Sequence, residues 1–459
     1  MQHYSDVDLL TALSTGRSQH VFIWLFNIGA EEVWHPGSGG ISDPAEQTVV
    51  NRIEEMNLLL CRSQDIIVLR QHPDPDFLEM LSQIGFAIPR IEVPEPFDAL
   101  TPITDLMLAD EGLLQRLRTA SEEAGTAYLV PYAVTWKEEE VAARCSLTLL
   151  GAGSGLSARI NDKIWSRRTA EELGFRVTEG AVCKDETEVR EACLRMTAES
   201  SAPVRFIIKL PHGASGKGMV LVEDLSRLDS VLKVMKRFAG RPSLSAGWLV
   251  ERWHAKQMDL NYQIYIDPQG GVTLFSLKAQ ELAGTVYIGS RMPAEVDRRL
   301  EVEIRSCAEQ LGASLFAAGY TGIASIDGFV NEDGLLLPVI EINGRFTLST
   351  YISFVPSILG EHKYVSRYYR IVSAEPLTYA SLCSLLRERE LLYGPERREG
   401  VIVYTAGTLS TVGLKQGFIN RIFTLIAADS WEEAEDYVCR LERVVAGLQH
   451  VQALQAYKA

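Results

Sequence analysis

No stretch of this sequence reaches the eighteen or so consecutive apolar residues that a bilayer span requires. The run VFIWLFNIGA (21–30) is too short and ends against Glu31 and Glu32, so no membrane partner is expected. The start of the chain lacks a basic segment followed by an apolar stretch and a cleavage site, so no export signal is expected. No CxxC pair occurs. The seven cysteines (61, 145, 183, 193, 307, 383, 439) are scattered and odd in number, which fits reduced thiols in a cytoplasm better than disulfides or a zinc site. The eight histidines form no HxxxH or HExxH pair, so a structural metal is not expected. Positive charge is in deficit: 45 Lys and Arg face 60 Asp and Glu, a net charge of -15. That balance argues against nucleic acid, whose binders need a basic face. Internal repeats and low-complexity tracts are absent.

What is present is a soluble, globular composition, 46% hydrophobic and 23% charged over 459 residues, enough for two to four structural units. Short apolar strands alternate with amphipathic helices, the α/β signature. HVFIWLF (20–26), DIIVLR (65–70) and CSLTLLGA (145–152) read as strands. Stretches 45–60, 74–85 and 137–145 read as helices around them. This predicts a parallel-sheet unit over residues 1–155. Asn161 or Asp162 can cap a helix that stops at Gly174. Strands 204–211 and 247–253 flank a helix at 225–240. Residues 260–281 form a hairpin around DPQGG, and 298–319 form a long helix. A second unit at 156–370, with lobes around 163–250 and 251–355, then gives way to a small α/β segment at 371–459.

LPVIEINGRFTLST (337–350) sets Glu341, Asn343 and Arg345 two apart inside a strand-like run. Side chains two apart share a strand face, so alone this row reads as the solvated side of a half-exposed strand. One strand earlier, Asp327 lies in ASIDGFV, and the turn NEDG (331–334) folds it to within a residue or two of Glu341. Two carboxylates so close would repel without a cation, and Asn343 adds an amide oxygen beside them. Such hard oxygens suit magnesium, which takes a few carboxylates plus substrate phosphates. IIKLPHGASGKGMVLVED (207–224) places Lys209 at a strand end before a loop of His212, Gly213, Ala214, Ser215, Gly216, Lys217 and Gly218. Small residues let backbone N–H groups approach phosphate, and a lysine adds charge. Pro211 and Gly218 break the GxxxxGK[ST] pattern, so this is not a P-loop. Lys163 alone reads as a solvated helix-start lysine. Glu251 reads as a rim charge or as an acceptor for an adenine amino group.

The order of these parts resembles the ATP-grasp ligase superfamily over roughly residues 155–355. The resemblance implies an ATP-grasp fold of two α+β lobes enclosing the nucleotide, preceded by a pre-ATP-grasp domain. It implies that Lys163 and Lys209 hold the α- and β-phosphates and that the 212–218 loop closes over the triphosphate. Glu251, Arg252 and Trp253 would lie in the hinge against the adenine, and Asp259 is the nearest candidate for the ribose. Asp327, Glu341 and Asn343 match residues that hold two Mg2+ ions, with Mn2+ as a substitute. Arg345 matches an arginine aimed at the carboxylate or acyl phosphate. Arg291, in a loop after the hairpin, would reach the γ-phosphate or the acceptor. Ser325 stands where the D-alanine ligase branch has arginine, which disfavours that branch's substrate. The layout, including FNIGAEEVW (26–34), is most similar to peptide ligases of natural-product pathways, and relatives are often homodimers.

The expected chemistry is ATP-dependent coupling of a small-molecule carboxylate to an amine through an acyl phosphate. Two other readings stay open within this frame: loading of a carrier-protein thiol, and a non-catalytic ATP-binding module. A dinucleotide-dependent oxidoreductase built on LLGAGSGLSAR (149–159) has GxGxG in place of GxGxxG, and it leaves Lys163 and the Asp–Glu–Asn group unexplained.

Overall fold

The computed structural model describes residues 8–16, 18–34, 43–200, 203–212, 218–238, 247–414 and 417–450. Three sheets organise them. The first is built from β1 (Val21–Leu25), β2 (Ile66–Val68), β3 (Arg90–Glu92), β4 (Ala127–Pro131) and β5 (Thr148–Leu149), all parallel, in the order β3-β2-β1-β4-β5. Its central strands are buried on both faces, which is why they read as continuous apolar runs. The strand expected over 145–152 shortens to Thr148–Leu149, because Cys145–Leu147 close the helix Trp136–Arg144: the Leu147 N–H bonds the Ala142 carbonyl at 2.8 Å and Ser146 takes φ +55°. The helix expected over 45–60 is α-helical at Pro44–Asn51 and tightens to 3-10 geometry at Arg52–Leu59.

The second sheet is antiparallel: β6 (Gly180–Cys183), β7 (Phe206–Lys209), β8 (Met219–Val222) and β9 (Trp248–Arg252), ordered β6-β9-β7-β8. Two helices, Glu186–Ala198 and Leu228–Phe238, cover one face with Val189, Cys193 and Leu232.

The third sheet runs β14-β13-β10-β11-β12-β15-β18-β16. Its members are β10 (Lys256–Ile266), β11 (Val272–Ala283), β12 (Val286–Met292), β13 (Gly322–Asn331), β14 (Leu336–Asn343), β15 (Lys363–Ser373), β16 (Gly400–Val403), β17 (Val412–Leu414) and β18 (Gly417–Ala428). The helix Arg298–Ala317 packs Ile304, Leu311 and Leu315 against Tyr262, Ile264 and Ile326. Among the described residues, the segment after residue 370 builds no sheet of its own. β18 pairs with β15 along eleven residues, so the C-terminal strands extend the same sheet. Its helix Tyr379–Glu388 also packs onto the first unit, with Phe77 and Tyr379 ring centroids 5.2 Å apart. No described helix is long and apolar enough to cross a membrane.

Candidate active site

The β13–β14 hairpin sets the register of the acidic row. At its turn, Asn331 Oδ1 accepts from the N–H groups of Asp333 and Leu335 at 3.1 and 2.9 Å, and Gly334 takes φ +73°. The register then shifts between Asp327 and Phe329. Gly328 sits in that bulge, where an added Cβ would come within 2.7 Å of the Pro338 carbonyl, so only glycine fits. The outcome is that Asp327 pairs directly with Glu341, and Ser325 with Asn343.

Asp327 accepts from Asn261 Nδ2 at 2.9 Å, Gln280 Nε2 at 2.8 Å and Asn343 Nδ2 at 3.4 Å. Burial, then repulsion from Glu341, pushes its pKa up to about 6 against the pull of Asn261, Gln280 and Arg345. Glu341 is met at 2.8 Å by Lys163 Nζ, a side chain only 2% exposed. Lys163 reaches it because Asp162 caps the helix Lys163–Glu172 through the N–H groups of Ile164 and Trp165. Ser166 Oγ of the same helix accepts the Ile342 N–H at 3.1 Å, which locks that helix to β14. The lysine that read as solvated is therefore buried against the acidic row.

Lys209 Nζ lies 2.5 Å from Glu251 Oε2, while Glu251 Oε1 takes Arg167 Nη1 at 3.0 Å. Burial alone would raise the Glu251 pKa, but Lys209 and then Arg167 outweigh it and hold the carboxyl below its usual range. Glu251 is thus neither a rim charge nor an open acceptor. Arg252 pairs with Glu179 at 2.9 Å. The N–H of Trp253 is committed to the Arg205 carbonyl at 2.8 Å, so it cannot serve an adenine. Asp259 sits on β10 and holds Lys256 at 2.6 Å, and that ammonium lies over the rings of Trp253 and Phe329 at 4.8 and 4.9 Å. Lys209, Glu251, Arg252, Trp253, Asp259, Asp327 and Glu341 all line one cleft between the second and third sheets.

Of the loop at 212–218, Gly213, Ala214, Ser215, Gly216 and Lys217 lie outside the described residues. Its two ends are placed. His212 stands 6.5 Å from the Trp34 ring, and Gly218, at φ +75°, bonds its carbonyl to the Leu210 N–H at 2.8 Å. Pro211, next to His212, accepts the Lys163 N–H at 2.9 Å.

Two expectations need correction. Arg291 is not in a loop: it lies on β12, opposite Ala279. Gln280, the next residue on β11, bonds Asp327, so Arg291 points to the other face of the sheet. There it pairs with Glu281 at 2.8 Å and with Glu435 of the covering helix Trp431–Leu448. Arg345 falls just past the end of β14 and leaves the polar row. Its guanidinium donates to Tyr132 Oη at 2.7 Å and lies 3.2 Å from Glu31, both from the first unit.

Asn261, Gln280 and Arg167 escaped the reading of the sequence. A signal existed for the first two: polar residues alternate along Asp259, Asn261, Gln263 and along Ser276, Lys278, Gln280, the period of a strand with one polar face.

The donor set fits a magnesium ion. Among the described residues no group of three or more His, Cys, Asp and Glu could hold a metal by itself. Two partly buried acids and an amide oxygen, with Asp327 pushed up by desolvation and then by Glu341, suit an ion that completes its shell from phosphate and water.

Comparison with known proteins places these elements. Residues 53–147 match the family described as pre ATP-grasp domain, 160–349 the ATP-grasp domain, and 381–441 the PGM1 C-terminal domain. The chain is 25% identical over 367 residues to the [butirosin acyl-carrier protein]–L-glutamate ligase of Niallia circulans, covering 79% of this chain and 80% of the relative. It is 25% identical over 346 residues to the L-propargylglycine–L-glutamate ligase of Streptantibioticus cattleyicolor, covering 69% and 71%. Among solved structures, the ADP complex of an N5-carboxyaminoimidazole ribonucleotide synthetase superposes with a TM-score of 0.54 at 14% identity, over 92% of this chain and 96% of the other. The biotin carboxylase domain of Hydrogenobacter thermophilus 2-oxoglutarate carboxylase gives 0.53 at 14%, over 92% and 88%. At these identities the two structures speak for the fold alone.

Proposed function

Because the chain belongs to the ATP-grasp superfamily of carboxylate–amine ligases, with a pre-ATP-grasp domain ahead of the ATP-grasp domain, we propose that it couples a small carboxylic acid to an amine in a biosynthetic pathway, with an L-amino acid such as L-glutamate as one partner. The observation that carries this reading is the Glu341–Asp327 pair on one rung, with Lys163 on Glu341 and both acids facing the cleft. A carboxylate resists amines, because its carbon is shielded by delocalised charge and oxide leaves poorly. ATP overcomes this by giving up its γ-phosphoryl group to form an acyl phosphate, from which the amine expels phosphate.

The protein's work in such a transfer is positioning and charge stabilisation. Lys163 and Lys209 would neutralise phosphate oxygens. Lys209 is held ready by Glu251, and Arg252, Trp253 and Asp259 would wall the nucleoside end of the cleft. Asp327, Glu341 and Asn343 would hold Mg2+, whose part is to screen the triphosphate charge. Asn261 and Gln280 both donate to Oδ1 of Asp327 and so fix a carboxylate that lines the cleft. Arg345, anchored by Tyr132 and Glu31, would receive the carboxylate or acyl phosphate where the first unit meets the ATP-grasp domain. All seven cysteines are free, which supports a cytoplasmic setting, and a homodimer is the assembly we expect.

The test is incubation with ATP, Mg2+ and paired pools of acids and L-amino acids. ADP and phosphate should appear only when both partners are present, in step with amide found by mass spectrometry. Hydroxylamine should trap the acyl phosphate as a hydroxamate. ATP turnover that never tracks amide formation would defeat the reading. The relative that acts on an acyl-carrier protein favours one variant, in which a carrier thiol is the acceptor. An adduct on a phosphopantetheinylated carrier would reveal it.

A further inference from the structure

The rung that carries Glu341 and Asp327 continues through Asn261 to a fourth member, Lys278 on β11. That lysine is wholly buried. Its ammonium donates to Ser276 Oγ and Ser353 Oγ at 2.5 Å each, and no described carboxylate pairs with it. Burial, with no anion to offset it, lowers its pKa from 10.5 to about 7. Gln263, opposite Ser276 on the same face, keeps its Oε1 buried and without a hydrogen-bond partner among the described residues. The cover over this group is the short helix Leu348–Ile352 and Ser353, reached just after Arg345. A buried cation with only neutral partners is a costly arrangement that methionine or leucine would avoid. An anion brought by a ligand removes the cost.

We propose that Lys278, with Ser276 and Ser353, is the subsite for the carboxylate of an amino-acid substrate that does not react. This rests on the ligase reading and narrows its substrate to an amino acid with a second carboxylate. Strands lie about 4.8 Å apart, so two strand spacings separate the backbones of Lys278 and Asp327, and both side chains point to the same face. A small amino acid can bridge that interval, one carboxylate at the phosphoryl-accepting end and the other at Lys278, and once Ser353 is displaced the buried Gln263 Oε1 can accept from its ammonium. Entry requires the carboxylate to displace Ser353 Oγ, a hydroxyl whose other bond is to the Ser349 carbonyl at 3.1 Å. The groups that β10, β11, β12 and the covering helix turn to the lysine are Asn261, Gln263, Ser276, Gln280, Ser290, Ser349 and Ser353, all uncharged; the charged pair on the same face of β10 is Asp259, opposite Gln280, with Lys256 at 2.6 Å. Asp327 is the titratable group next on the rung, with Asn261 between.

The experiment is calorimetric titration of wild type, K278M and K278Q, each saturated with Mg2+ and a non-hydrolysable ATP analogue. The probes are L-glutamate, 4-aminobutyrate (no α-carboxylate) and L-glutamine (no γ-carboxylate). K278M should keep its nucleotide affinity and lose about 10- to 100-fold in L-glutamate affinity. One of the two analogues should bind wild type as weakly as L-glutamate binds K278M, and K278M should not weaken that analogue further. Near pH 8, L-glutamate binding to wild type should take up protons, and K278M should not. Wild-type L-glutamate affinity in both variants overturns the subsite. So does a wild type that binds nucleotide and makes amides from other acids but never binds L-glutamate, an outcome that leaves the ligase reading standing. Failure to bind nucleotide at all overturns both.

Discussion

Replacing Glu341 by glutamine removes one charge from a rung whose balance can be worked out. Lys163 Nζ lies 2.8 Å from Glu341 Oε1, with the two side chains 2% and 20% exposed. At an effective dielectric of about 20 that attraction is roughly 6 kcal/mol. Asp327, directly opposite at a typical cross-strand separation of about 5 Å, returns roughly 3 kcal/mol of repulsion. The amide of glutamine still accepts from Lys163, worth about 1 kcal/mol. E341Q should therefore cost the ligand-free protein about 2 kcal/mol, read as a lower denaturation midpoint in urea. The effect on turnover is larger. Loss of one ligand at the developing charge should lower kcat by about 10²- to 10³-fold, with weakened dependence on Mg2+ and little change in affinity for nucleotide without metal. Coupled ADP-release assays across a Mg2+ series provide the measurement. Turnover within tenfold of wild type, with an unaltered Mg2+ profile, would refute the assignment of this rung to the metal.

Asn261→Leu should lower kcat at least tenfold and move the KM for ATP less than threefold, because Asn261 orients Asp327 at 2.9 Å without lining the cleft; an unchanged kcat would remove it from the machinery. Arg291→Ala should leave kcat within threefold and cost about 1 kcal/mol or less, the scale of a partly exposed ion pair; a collapse of kcat would show that its contacts with Glu281 and Glu435 are not where it works. Between pH 7 and 10.5 the unfolded chain keeps a proton that folded Lys278 sheds, so this residue makes ligand-free stability rise with pH across that window, to a limit of about 5 kcal/mol at 1.36 kcal/mol per pH unit. Below pH 7 both states are protonated and its contribution is flat. K278M should flatten the rise, measured by urea titrations at successive pH values, and parallel curves for the two proteins would contradict the burial argument.

Local pattern carried much of the architecture. Alternating apolar strands and amphipathic stretches announced the α/β class, and NEDG between two strand-like runs announced the hairpin. The interval from Asp327 to Glu341 could be narrowed to a residue or two and no further. The bulge at Gly328 settles that register, and it depends on the approach of the Pro338 carbonyl from the facing strand. Arg291 was misplaced for a related reason: its spacing does not say which face of β12 the helix Trp431–Leu448 covers. Lys163, which alone reads as solvated, and Lys278, which no motif marks, are both buried by segments more than seventy residues away, Glu341 for one and Ser353 for the other.

The sequence by itself determined the order of the parts: a parallel-sheet unit, a lysine at a capped helix start, a lysine before a glycine-rich loop, an acid ending an apolar strand, and an Asp strand turned onto Glu-x-Asn. Tertiary structure alone decided that Glu251 joins Lys209 to Arg167, that Arg345 reaches back to Tyr132 and Glu31, that the C-terminal strands continue the third sheet, and that one rung links Glu341 to Lys278. The periodicity of a segment is encoded locally, by which of its residues are apolar. Which segment lies opposite it, in what register and under what cover, is set by contacts between residues far apart in the chain, and from those contacts come the burial and the charge pairing on which the chemistry depends.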